Sequence, residues 1–166
     1  MFSLKPISHE SVAGALAKAE RYRLLNEPGE AESICRDILE IEPGNQGALI
    51  SLILALTDQI GHDASAFPNA LASGSRLESP YDRAYYSGIA WERRAKARHT
   101  TGGHNAHTYA YDWLVTALDF FDEAGRLRAP GNDDAILRWN ACVRYLQAHK
   151  ELAPSEWEAP QPIISE

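Results

Sequence analysis

The sequence predicts an all-helical domain, on three observations. Alanine and leucine, at 25 and 17 of 166 residues, far outnumber the β-branched valine and threonine, at 3 and 5, so good helix formers dominate residues that suit a pleated sheet. Apolar residues recur three or four positions apart along most of the chain, the period of a single helix face. Proline, glycine and asparagine cluster mainly between those runs. Together these exclude a β-sandwich, a β-barrel and a parallel α/β sheet. A chain of this length forms about one domain and buries roughly 70% of its unfolded surface, so it needs no metal or disulfide to fold.

Seven helices follow in order. Ser8 can cap the first, whose apolar face is Val12, Ala15, Leu16, Ala19, Tyr22 and Leu25, before Asn26 to Gly29 breaks it. The second runs from Glu30 through Ala31, Ile34, Cys35, Ile38, Leu39 and Ile41 and stops at Pro43-Gly44-Asn45. Proline cannot continue that helix, and Asn45 can cap the next. Gln46 to Ile60 is apolar on nearly every side, as befits a helix covered on both flanks. A fourth run, Ala64 to Leu77, contains Pro68 and Gly74 and reads as a short or kinked helix. Ser79 and Pro80 open a fifth, with Asp82 at its positive end, running to about Arg98. His99 to Asn105 reads as the longest loop. The sixth helix starts near Ala106 and carries Tyr109, Trp113, Leu114, Ala117, Leu118, Phe121 and Ala124. Gly125 to Gly131 closes it, and Asn132-Asp133-Asp134 caps a seventh with Ile136, Trp139, Val143 and Leu146 as its stripe.

Charge and cysteine content narrow the function classes. Sixteen Lys and Arg against 23 Asp and Glu leave a net charge of −7, so no general positive field exists to hold nucleic acid. The most apolar stretch, Ala48 to Leu56, is too short to cross a bilayer, and the first ten residues contain no apolar run of signal-peptide length. Cys35 and Cys142 are far apart and sit inside amphipathic patterns, which predicts two buried, reduced thiols and a cytoplasmic protein. Glycine-rich phosphate loops and a G-x-S-x-G nucleophile elbow are both missing, so the expectation is a protein without cofactor and not an enzyme.

Spacing within the helices is more particular. In the second, Ala31, Cys35, Ile38 and Pro43 stand at offsets of 0, 4, 7 and 12, and in the sixth Ala117, Phe121, Ala124 and Pro130 stand at 0, 4, 7 and 13. Tyr22 and Ala19 fall before the first set where an aromatic and a small residue are wanted, and Tyr86, Ile89 and Ala90 repeat the theme in the fifth helix. The pattern resembles the tetratricopeptide repeat, a helix-turn-helix unit of about 34 residues. That resemblance implies antiparallel helix hairpins stacked as a short right-handed solenoid, with about three pairs and a C-terminal capping helix over residues 1–152. An acidic, proline-containing tail, 153–166, follows and reads as flexible; Trp157 within it is a candidate docking residue.

The resemblance also implies a protein-binding or peptide-binding scaffold. Its familiar carboxylate clamp needs Lys, Asn and Arg where this chain has Leu16, Glu20, Ile50 and Leu54, so an open groove there would take a hydrophobic peptide or an amphipathic helix. From the residues themselves, the basic run Arg93, Arg94, Lys96 and Arg98, preceded by Tyr85 and Tyr86, offers an acidic peptide both aromatic contact and charged donors. Arg138, Asn140 and Arg144 of the last helix can extend that site. Two further readings stay open: a metal site on His99, His104 and His107, and self-association as a homodimer.

Overall fold

The computed structural model describes residues 2–154, and the tail from residue 155 on, with Trp157, lies outside them. The described residues form seven α-helices and a 3-10 turn, with no strand among them. The turn, His9–Ser11, leads into α1 (Val12–Leu24), followed by α2 (Pro28–Ile41), α3 (Gln46–Thr57), α4 (Ala66–Gly74), α5 (Pro80–Thr101), α6 (Ala106–Leu127) and α7 (Asp134–Ala148). Each helix packs on the next in the chain, and α1 also meets α3, as α3 meets α5.

Local chemistry explains most boundaries. Asn45 Oδ1 accepts the Ala48 amide at 2.9 Å, and the Ser79 hydroxyl accepts that of Asp82 at 3.2 Å, so both residues cap as their side chains predict. α2 begins at Pro28, earlier than expected, because proline at the first helical position loses an amide bond no helix would make. Pro68 needs no kink for a related reason: it sits in the first turn of α4, which is shorter than expected and ends at Gly74. Ser8 does not cap; its carbonyl accepts the Ser11 hydroxyl, and the 3-10 turn intervenes before α1. Leu25, expected on the apolar face, follows the last turn of α1 and is 61% exposed.

The largest correction concerns the loop expected from His99. α5 continues through His99 to Thr101 and is stopped by Gly102 and Gly103, both at positive φ. His99 is therefore fixed on a helix. The connection to α6 is only four residues long, so α5 and α6, each 22 residues and about 33 Å long, form an antiparallel hairpin. Its register shows in three ring contacts: Tyr85 with Phe121, Trp91 with Trp113, and His99 with His107.

α5 is the shared spine of two cores. Ala90 closes a cluster with Ala19, Cys35, Leu49, Ile53 and Leu56, while Ile89 and Ala95 belong to a second with Leu114, Phe121, Cys142 and Leu152. Both thiols are fully buried and unpaired, and burial pushes each up to about 12, so they stay protonated. Gly88 lets the hairpin close: a Cβ there would stand 2.6 Å from the Phe121 ring, whereas a Cβ on Gly125 would meet nothing within 4 Å.

The two glycines should respond oppositely to alanine. Overpacking against Phe121 costs about 1–3 kcal/mol, more than the ~1 kcal/mol that alanine gains in helix propensity. Gly88→Ala should therefore lower the thermal midpoint by several degrees and Gly125→Ala raise it slightly, as read by circular dichroism melts.

Candidate functional site

The basic run on α5 divides between two faces of the helix. Arg93 and Lys96, three apart, point one way; Arg94 and Arg98, four apart, point the other. The first pair is occupied by carboxylates. Arg93 is bonded to Asp58, which follows the last turn of α3 and also accepts from Arg23 Nε of α1 at 2.9 Å. Lys96 Nζ lies 2.6 Å from Glu92, a carboxylate only 2% exposed, and Arg138 of α7 reaches the other Glu92 oxygen at 3.4 Å. Burial disfavours the Arg138 charge, but Glu92 and a hydrogen bond with Tyr85 outweigh it and hold the guanidinium above its ordinary pKa.

Arg93, Lys96 and Arg138 thus converge on one cleft of about 420 Å³, as a shared site requires, with Asp58 and Glu92 in the same walls. With Arg23, four bases share these two acids, and each base has a carboxylate partner. The cleft reads as the electrostatic clasp that joins α1, α3, α5 and α7, its bases already engaged.

The second face is different. The Arg94 guanidinium lies 4.1 Å from the centre of the Phe67 ring and 4.0 Å from that of Trp113, with Trp91 at 5.3 Å. Phe67 comes from α4, Trp91 from α5 and Trp113 from α6, so three helices build the sandwich. Stacking of this kind contributes about 1–2 kcal/mol when partly desolvated. Among the described residues no carboxylate pairs with Arg94, and burial alone moves its pKa below the ordinary arginine value. It opens on a cleft of about 580 Å³ lined also by Ile60, Pro68, Ala97 and Arg98. Arg98 donates to the His104 carbonyl at 2.6 Å and likewise has no carboxylate partner among the described residues. Asp63 is the one acid in this lining, and its two oxygens are held by the Ser65 amide and hydroxyl, the amide contributing most to lowering its pKa.

The other expected site residues are placed as follows. Tyr85 and Tyr86 are half-buried packing residues: Tyr85 touches Tyr81, Tyr86 and Phe121, and Tyr86 touches both cores, where burial pushes its hydroxyl up to about 12. Asn140 is half-buried and Arg144 exposed on α7. Leu16, Ile50 and Leu54 are half-buried and pack against the core clusters. Of the three histidines considered together, His99 and His107 meet, with ring centres 5.7 Å apart, and His104 joins no ring contact among the described residues. Instead His99 contacts His149, Tyr145 and Glu151 at the end of α7.

Sequence reasoning passed over Phe67, Trp113 and Glu92. The face division of the basic run was available from helical spacing, but the aromatic partners come from two other helices, and no local pattern links them to Arg94. No helix among the described residues is long and apolar enough to cross a membrane. Compared with known proteins, the chain matches no family model, no curated protein and no solved structure.

Asp58 should carry more stability than a surface acid. Asp58→Ala leaves two partly buried guanidiniums without their acceptor and should cost about 1–2 kcal/mol in urea unfolding. Asp122→Ala, which breaks an exposed pair with Arg126, should cost less than about 0.5 kcal/mol.

Proposed function

We propose that the protein is a non-catalytic scaffold of tetratricopeptide-like helix hairpins that binds an acidic segment of a partner protein in the Arg94–Arg98 cleft. Packing of each helix on its successor, with added contacts of α1 to α3 and α3 to α5, supports the stacked-hairpin reading, in which no unit buries its apolar face alone. α7 then acts as the terminal cover. Two free, buried thiols fit a cytoplasmic setting.

The observation that carries the binding reading is Arg94: a guanidinium about 4 Å from the centres of both the Phe67 and Trp113 rings, at a cleft, with no carboxylate of the described residues on its donors. The ring contacts hold the guanidinium in place and partial burial removes competing water, while no carboxylate of the described residues occupies the N–H groups that a planar acceptor would use. A side-chain or terminal carboxylate fits, and Arg98 one turn on offers a second positive charge. The aromatic walls supply apolar contact for the residues that flank the acid. An acidic ligand is favoured over a purely apolar one because Leu16, Ile50 and Leu54 are engaged in the cores.

A panel of short peptides graded in acidic content, titrated while Trp91 and Trp113 fluorescence is followed, tests this directly. Affinity should rise with carboxylate content and fall with salt. Arg94→Ala with Arg98→Ala should weaken it at least tenfold, given about 1.5–3 kcal/mol per charged hydrogen bond. Arg144→Ala should leave it unchanged. Peptides bound without regard to acid content, or equally by the double variant, would refute the proposal.

A further inference from the structure

A second site lies on the other side of α5, where its C-terminal turn meets the end of α7. His99 Nε2 stands 3.1 Å from Glu151 Oε1, and His149 Nδ1 stands 3.0 Å from the same oxygen. One ligand atom from each of the three residues falls within 4.8 Å of the others. We infer that His99, His149 and Glu151 form a binding site for a divalent transition-metal ion of the zinc type. The inference is independent of the peptide-binding reading.

Four features support a cation here. Zinc bonds of about 2.0–2.1 Å at tetrahedral angles place ligand atoms roughly 3.3 Å apart, close to the two short edges observed. Two imidazoles and one carboxylate make a borderline donor set that suits zinc better than calcium or magnesium. His99 Nδ1 lies 2.6 Å from the Tyr145 hydroxyl, an outer contact that lets Nδ1–H donate to Tyr145 and leaves the Nε2 lone pair directed at the cluster. Finally, His99 lies in the last turn of α5 and His149 is the C-cap of α7, so the negative ends of two helix dipoles converge on the same point.

Access and rigidity are both provided for. His99 is fixed on α5 with its side chain 14% exposed, while those of His149 and Glu151 are 37% and 43% exposed, which leaves a way in for the ion and for a water as fourth ligand. The His107 ring flanks the site from α6. Bound metal would tie the end of α7 to the α5–α6 hairpin.

Isothermal titration of the tag-free full-length protein with Zn2+, repeated with Co2+ while visible absorption is recorded, tests the site. The expected result is one ion per chain, a cobalt spectrum of low-coordinate nitrogen and oxygen ligation, and a rise in thermal midpoint with zinc. Glu151→Gln keeps the side chain's shape and should weaken zinc binding at least tenfold, as should His149→Ala, and both should abolish the thermal rise. His104→Ala should bind as the wild type does. Failure to take up zinc saturably, uptake unchanged in Glu151→Gln and His149→Ala, or uptake lost only in His104→Ala would each overturn the inference.

Discussion

The close approach of α5 to α6 is the constraint on which the rest depends. Gly88 receives the edge of the Phe121 ring, and Ala95, Ala110 and Ala117 keep their share of the second core small. Small facing side chains at these positions let the two helices approach more closely. Because α5 also contributes Ala90 to the first core, it is held from both sides. Its surface residues are thereby aimed in fixed directions.

Those directions decide the electrostatics. A run of four basic residues on a solvated helix would be one diffuse patch. On a helix pinned at both faces it becomes two separate environments. Arg93 and Lys96 meet carboxylates that help link α1, α3, α5 and α7, and their charge is spent on architecture. Arg94 is turned toward α4 and α6, where the wall of the cleft is aromatic and supplies a surface for stacking, and no carboxylate of the described residues pairs with it. The same rigidity brings His99 to the end of α7, since α5 does not unwind until Gly102. Structural residues and candidate binding residues thus alternate around a single helix.

Most of the helical framework was legible in the sequence, because caps and breakers act locally: Asn45, Ser79 and Gly102 do what their conformational preferences dictate. Misplacements occurred where position within a turn outweighs identity, as with Pro28 and Pro68, or where a helix runs on through exposed Thr100 and Thr101 after His99, whose ring contacts His107, Tyr145 and Glu151. The candidate site was half legible. The basic island on α5 and its division into two faces were visible, but which face is paired required knowing that Asp58, 35 residues upstream, reaches Arg93. The histidine grouping shows the same limit: neighbours in sequence pointed to His104, while folding brought in His149 and Glu151 from α7. Pairings between distant helices leave no local periodicity to read.

The packing of α5 holds Arg94 against two aromatic rings, with no carboxylate of the described residues on its donors. The most direct measurement is the Nε–Hε resonance of Arg94 in nitrogen-15 spectra of the free protein, assigned by its loss in Arg94→Lys. Ring currents from Phe67 and Trp113 should displace that resonance from the position of the exposed Arg144, restrict its motion, and make it shift when an acidic peptide is added. An Arg94 resonance as mobile as that of Arg144, at the same position and indifferent to the peptide, would contradict the account.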